Sequence, residues 1–585
     1  MLKPLLNTKS AVFLIILIYF SLATFNINYP GLNTDEAFHG VASNNILKDA
    51  SDIKKGRTQF LGCHVILFGK IFPIMPSDYY GAVIPYLFYP FIRILGSNAI
   101  ALRFGSIFIS AIFLLFVYHL CKIWFGKRVG LLATLLTATN LAFVQYSRVG
   151  LYRCEIIVMF FFWVGLFFLI KYSQKKKYYF LCLSFFLFGI GLSTKINFLY
   201  YIVALTLAYL IIGKRLNLLS PFNIKKAIIM LLSFCLGSFF IIVYNIKEPW
   251  ITVRQLLSVL TDPHGTSRYT NAMGANNWAY LNNLAVKSQH LFTLLGGDIS
   301  DKVYWGVFGN YAIELFSVLM TGLIIASLVV LLFLALFRPG LSKIIRYRIL
   351  FLYVIYATVF LLSPFTLSAF NQGHLLILLP FPQVALAIFL IYIWQRAEQS
   401  KIILMKLFVG FSISFIIFFN IVTNIYFNIQ MKKIGGYGRW STAIGELADY
   451  LQKNNITSPI MFDYDLHSNL LFLSDNRVSP VIYDKFYPEP LIAAYKKLFS
   501  ANREIFYLSI TPEKIEMEEI IASGSWRMGD LKRKKEFPRL FLEGPNKYHK
   551  DLFMNFIKKS GKKKELKKVF FNNAAHPVYW LYRIY

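Results

Sequence analysis

The chain has 585 residues, 57% of them hydrophobic, and a mean hydropathy of +0.54, values that exclude a single water-soluble domain. A formal net charge of +32 would point to nucleic acid in a soluble protein, but much of the excess sits in short loops between apolar segments, so no nucleic-acid partner is expected. The five cysteines all lie at or before Cys235 and form no CxxC pair, zinc spacing or haem-attachment motif, which leaves redox and structural-metal roles without support.

In chain order, the first apolar run predicts a helix over 11–28, with Lys3 and Lys9 holding the N-terminus in the cytoplasm. A basic start before an apolar run also fits a cleaved signal peptide, but no small-x-small cleavage site follows Phe25, and the helix is read as retained. Further spans are predicted near 99–124, 130–146, 155–172, 178–192, 198–212, 227–246, 311–337, 349–362, 375–394 and 402–427, about eleven in all. The Lys and Arg clusters after the second, fourth, sixth, eighth and tenth helices all fall on the side of the N-terminus, and an odd count then places the C-terminus outside.

Two outer loops, at about 28–98 and 247–310, are long enough to carry function. The first contains an apolar stretch, 80–91, interrupted by Pro85 and Pro90, which predicts an interfacial or re-entrant helix. The second has a helical piece around 278–295. From about 430 the composition becomes that of a soluble domain. There a helix is predicted over 441–451 from Ile444, Leu447, Ala448 and Leu451, with strands at 459–462, 480–483, 505–510, 568–571 and 578–582 and helices at 490–498 and 513–521. The basic runs 532–535 and 562–564 are read as solvated surface. The expected fold class is therefore a polytopic α-helical membrane protein, with a transmembrane domain over 1–429 and an extracytoplasmic α/β domain over 430–585.

The most informative stretch is Asn33-Thr34-Asp35-Glu36-Ala37-Phe38-His39-Gly40, an acidic pair emerging on the outer face, where ionisable groups are costly and usually functional. Neighbours on a helix point about 100° apart, so one carboxylate is expected to act as a base toward a hydroxyl while the other orients it or pairs with a cation. Which of Asp35 and Glu36 is the base stays open, and a helix cap formed by Thr34 or Asp35 is the alternative. Arg148 and Arg153, in the outer turn between the third and fourth helices, run against the positive-inside trend and ask for an anion. A lipid phosphate would serve, and so would Glu155 or Asp35. Lys195, at the outer turn between the fifth and sixth helices, either snorkels to headgroups or binds phosphate. Asp78 is a further carboxylate on this face. His374 opens the tenth helix from the same side, as a phosphate donor, a metal ligand or an ordinary hydrogen-bonded histidine. His39 and His64 with Asp35, Glu36 and Asp78 offer the ligand types for a divalent metal, without a spacing motif.

These residues carry a resemblance. Asp35-Glu36, Tyr80-Gly81-Ala82, Leu102-Arg103-Phe104-Gly105-Ser106, Ser147-Arg148, Thr194-Lys195 and the stretch from Gly373 to Pro380 occur in the order found in the polyprenyl-phosphate-sugar-dependent glycosyltransferases of the GT-C fold. That superfamily includes the dolichyl-phosphate-mannose protein mannosyltransferases and the bacterial aminoarabinose transferase for lipid A. Gly435-Gly436-Tyr437-Gly438-Arg439-Trp440-Ser441, with Ile444 and Leu447, is similar to the opening of the outer domain in bacterial members.

The resemblance implies a bacterial inner or plasma membrane and a polyprenyl-phosphate sugar as donor. It implies inverting transfer to a hydroxyl of a lipid, glycan or protein acceptor, with Asp35 as base and Arg148, Arg153, Lys195 and His374 as candidate ligands of the donor phosphate. Two departures stand out. The His-Pro-Pro run of many relatives is replaced by Ser77-Asp78-Tyr79-Tyr80, and the outer α/β domain is unlike the β-trefoil of the eukaryotic protein mannosyltransferases. Competing readings are a transporter or flippase of lipid-linked sugars, which would favour internal repeats that are not found, and a non-catalytic envelope assembly protein.

Overall fold

The computed structural model describes residues 7–54, 62–77, 79–151, 154–219, 222–254, 279–299, 302, 305–307, 310–337, 341–365, 372–461, 466–482, 504–509, 553–555 and 557–585. Asp78, Arg153, the helices expected at 490–498 and 513–521, and the basic run 532–535 lie outside the described residues, as does 255–278 of the second outer loop.

The molecule is a helical membrane protein. Among the described residues six helices are long and apolar enough to cross a bilayer, and up to nine spans result if each of three bent pairs counts as one. Two further helices expected as spans, Thr8–Thr24 and Tyr178–Thr194, have 17 residues each and stand at the lower limit for spanning.

The bends fall where the sequence breaks helical geometry. Lys127–Thr139 and Leu141–Arg148 meet at 59° around Asn140, whose side chain accepts a bond from the Phe143 amide (3.0 Å) and so restarts the helix. Ile224–Gly237 and Phe239–Lys247 meet at 68° around Ser238. Here Gly237 and Gly189 let two helices cross backbone to backbone: a Cβ on Gly237 would lie 2.1 Å from the Phe186 carbonyl. Gln372–Leu378 and Phe381–Gln399 meet at 49° across Pro380, which has no amide to continue the ladder.

Val83–Leu95, with Pro90 inside it, has 13 residues, too few to span, and packs on Ala99–Phe125 and on the short helix Thr34–Asn44. Ahead of it, strands β1 (Cys63–Leu67) and β2 (Lys70–Met75) form an antiparallel hairpin. After Ile403–Ile434 comes a five-stranded mixed sheet in the order β4-β3-β5-β7-β6. Its strands are β3 (Ile460–Met461), β4 (Val481–Ile482), β5 (Ile505–Ser509), β6 (Lys564–Phe571) and β7 (Pro577–Ile584). β3 runs parallel to β4 and β5, and β7 antiparallel to β5 and β6.

Ala443–Lys453 buries the expected Ile444, Leu447, Ala448 and Leu451. A second helix of this region, His467–Leu473, packs directly on Thr34–Asn44. The Thr34 hydroxyl donates to Asn469 (2.9 Å), the Asn469 amide donates to the Leu32 carbonyl (2.6 Å), and the Phe472 ring lies where a Cβ on Gly40 would be.

Candidate active site

The segment that delivers Asp35 is held by two buried arginines. Arg103, in the first turns of Ala99–Phe125, donates to the carbonyls of Ile27, Pro30 and Gly31 (2.9, 2.7 and 3.0 Å). Arg148, ending Leu141–Arg148, donates to the carbonyls of Asn26 and Tyr29 (2.6 Å each) and to the side chains of Asn428 and Gln145. Five consecutive-turn carbonyls that no helix satisfies thus receive charged donors, and the chain between the first helix and Asn33 is fixed.

Asn33 then opens Thr34–Asn44 as a capping box. Its side chain accepts from the Asp35 amide (2.8 Å) while Glu36 accepts from the Asn33 amide (3.1 Å). The cap is Asn33, ahead of the alternative caps Thr34 and Asp35.

The two acidic residues separate as their angular spacing requires. Glu36 is buried and accepts the Arg103 fork, Nε to Oε1 at 3.2 Å and Nη2 to Oε2 at 3.0 Å. Its carboxylate is thereby engaged by a cation, the second of the two roles expected within the acidic pair. Asp35 is half-buried; among the described residues its carboxylate has no ion pair.

Arg148, expected as a phosphate ligand, is engaged by backbone carbonyls in this structure. Its side chain is 1% exposed, and its terminal nitrogens are engaged by carbonyls and amides, so no room remains for an anion. The Asn428 that meets it belongs to a ladder on Ile403–Ile434. There Asn424 donates to the Thr139 carbonyl (3.0 Å), Gln145 donates to Asn424 (3.0 Å), and Asn428 donates to the Leu22 carbonyl (3.1 Å). Such in-membrane polar groups are tolerated because each finds a partner.

Lys195 and His374 do come together, and what joins them is Glu155. Lys195 Nζ donates to Glu155 Oε1 at 2.5 Å, His374 Nδ1 lies 2.7 Å from the same oxygen, and Asn197 donates to it at 3.1 Å. Three separate helical segments therefore converge on one buried carboxylate.

Tyr80 links this cluster to the Asp35 helix. Lys195 Nζ sits 4.9 Å from the Tyr80 ring centre, and the His39 ring meets the other side of it edge-on at 5.2 Å. Burial pushes the Tyr80 phenol well above its ordinary pKa, helped by Cys154 and Tyr79 and then by the carboxylates of Glu155 and Asp35. His39, whose Nε2 lies 3.2 Å from Cys154 Sγ, is pushed down to about 3 by burial and by the charge of Lys195.

The backbone makes this contact possible. Tyr80 bridges Lys195, with the Ile196 amide donating to the Tyr79 carbonyl and the Gly81 amide to the Thr194 carbonyl (3.3 Å each). A Cβ on Gly81 would stand 1.8 Å from the Ser193 carbonyl oxygen, so only glycine permits the approach.

The metal expectation does not fit the residues as placed. Among the described residues no three His, Cys, Asp or Glu side chains gather to hold an ion. Glu36 faces Arg103, His39 faces Cys154, and His64 sits on the β1–β2 hairpin. Asp78 and Arg153 lie outside the described residues.

Arg103, Glu155 and Asn428 are participants to which the sequence assigns no place in the site, and His39, offered there as a metal ligand, lies against Cys154 and Tyr80. Arg103 lies in the Leu102-Arg103-Phe104-Gly105-Ser106 stretch of the resemblance, and from the sequence Glu155 offers itself as an ion-pair partner for Arg153.

Taken whole, the architecture is the GT-C fold. The model of the family described as dolichyl-phosphate-mannose-protein mannosyltransferase matches residues 81–242. Among solved structures, the chain is similar to ArnT from Cupriavidus metallidurans bound to undecaprenyl phosphate. The TM-score is 0.52 at 10% identity, covering 88% of this chain and 94% of that one. It is also similar to the archaeal oligosaccharyltransferase AglB from Archaeoglobus fulgidus in complex with an inhibitory peptide and a dolichol-phosphate, with TM-score 0.51 and 13% identity over 90% of this chain and 71% of that one. No curated protein sequence matches the chain.

Proposed function

We propose that this protein transfers a sugar from a polyprenyl phosphate to a hydroxyl of a lipid, glycan or protein acceptor on the extracytoplasmic face, with inversion and with Asp35 as the base. The observation that carries the reading is the division of labour within the acidic pair. Glu36 is locked to Arg103, which leaves Asp35 as the carboxylate with freedom to accept a proton, on a helix start that two arginines and Asn469 hold in place.

In the reaction, the acceptor oxygen forms a bond to the anomeric carbon as the bond from that carbon to the phosphate oxygen breaks. The hydroxyl proton passes to Asp35, and negative charge builds on the departing polyprenyl phosphate. Lys195, buried beside Tyr80 and held by Glu155, is the described cation best placed to stabilise that charge, with His374 next to it. Glu155 orients both, and Arg153 is retained as a proposed ligand from the sequence. ArnT and AglB, the neighbours in fold, are recorded with undecaprenyl phosphate and dolichol-phosphate respectively, which supports a lipid phosphate as the donor's leaving group.

The test supplies membranes containing the wild-type protein with a panel of labelled polyprenyl-phosphate sugars and native envelope extract. Label moving from one donor into an acceptor fraction supports the reading and identifies both substrates. No transfer from any donor by folded protein would overturn it in favour of transport or assembly.

A further inference from the structure

A groove of about 540 Å³ lies between Thr8–Thr24 and Ala99–Phe125, at the ends of these helices remote from the Asp35 site. At 1.5 Å per residue, Lys9 stands about 22 Å along its helix from Thr24, and Lys122 about 28 Å from Arg103. The groove is apolar over most of its length, where Val12, Ile16, Phe108 and Ile112 line it. Its far end is cationic: Lys9 stands in the first turn of one helix and Lys122 in the last turn of the other. Neither helix contains an aspartate or glutamate to compensate them.

A second observation points to a ligand there. Tyr118 lines the same end and is 3% exposed, yet among the described residues its hydroxyl has no hydrogen-bond partner. Lys122 lies over its ring at 5.7 Å. A buried hydroxyl without a partner is costly, most of all beside lipid.

We propose that this groove binds an anionic glycerophospholipid of the bilayer. The acyl chain lies along the apolar part, the phosphate sits between Lys9 and Lys122, and the Tyr118 hydroxyl donates to a headgroup or ester oxygen. The shape suits a chain, and the charge selects an anionic head over a zwitterionic one. The same two helices lead into Asp35 and carry Arg103 at their opposite ends, so the lipid would hold together the pair on which the candidate active site stands.

Each lysine near an anionic headgroup is worth roughly a fivefold preference. The test uses the full-length protein in bilayers containing a photoactivatable phosphatidylglycerol or the phosphatidylcholine with identical chains, with cross-linked peptides identified by mass spectrometry. Wild type is expected to cross-link phosphatidylglycerol preferentially, at peptides containing Ile16 or Phe108. Lys9→Gln and Lys122→Gln should each lower that preference roughly fivefold. Tyr118→Phe should lower occupancy, and Lys401→Gln, in the turn between Phe381–Gln399 and Ile403–Ile434, should change nothing. Equal labelling by the two lipids in wild type, labelling confined to other helices, or an undiminished preference in the double lysine variant would overturn the proposal. Because the readout is lipid occupancy, its failure leaves the proposed reaction untouched.

Discussion

Replacing Arg103 by leucine removes the side chain that satisfies Glu36 and three backbone carbonyls at once. Both members of the pair are at most 1% exposed, so solvent cannot take over the lost bonds. Breaking a buried pair from one side costs about 3–5 kcal/mol, mostly the uncompensated carboxylate, or roughly two to three and a half powers of ten in the folding equilibrium. The assay is equilibrium unfolding in mixed micelles for Arg103→Leu, Glu36→Gln and the double variant. Glu36→Gln in the Arg103→Leu background removes the stranded charge, so the double variant should be less destabilised than the sum of the singles, with a coupling of about 1–3 kcal/mol. A loss below about 1 kcal/mol for Arg103→Leu, or additive effects, would refute the claim that this pair anchors the acidic helix.

Three further outcomes follow from the same geometry. Gly81→Ala sets a Cβ against the Ser193 carbonyl oxygen at 1.8 Å; the expected loss of about 1–3 kcal/mol or more is read as a lower thermal midpoint, and an unchanged midpoint would contradict the Tyr80–Lys195 approach. His39 is held neutral, at about 3 against about 6.5 in the unfolded chain, so the unfolded state binds the extra proton. Its contribution is complete above about pH 6.5 and falls by up to about 1.4 kcal/mol per unit as the pH drops toward 3. His39→Gln should flatten that acid-side slope in unfolding measurements, and an equally steep slope would remove His39 from the account. Lys195→Gln should lower transfer by about 10²–10³ and weaken binding of polyprenyl phosphate while leaving acceptor KM alone; unchanged donor titrations would count against a phosphate role.

Much of the fold was legible because lipid imposes a length on apolar runs. The predicted spans at 99–124, 155–172 and 311–337 lie within Ala99–Phe125, Glu155–Lys175 and Tyr311–Phe337. The bends were not legible, since Asn140 and Ser238 interrupt runs that remain apolar on both sides. The helix in the first outer loop was recognisable from its prolines, and Ala443–Lys453 from its spacing.

At the site, the acidic pair announced itself by position, and the divergence of the two side chains by about 100° follows from helix geometry. The partner of Glu36 did not, because Arg103 is 67 residues away and nothing local couples them. Arg148 shows the limit of the charge argument. An arginine in a turn between apolar helices does ask for electron-rich partners, but the carbonyls of Asn26 and Tyr29 answer as well as a phosphate would. Lys195, Glu155 and His374 meet from segments up to 219 residues apart, a convergence that only packing reveals.

The most direct measurement is sugar transfer at saturating donor by Asp35→Asn and Glu36→Gln, each first shown to be folded and to bind polyprenyl phosphate. The account predicts that Asp35→Asn loses transfer by about 10²–10⁴ while still binding the lipid, and that Glu36→Gln loses stability before it loses chemistry. Transfer by Asp35→Asn at the wild-type rate would contradict it.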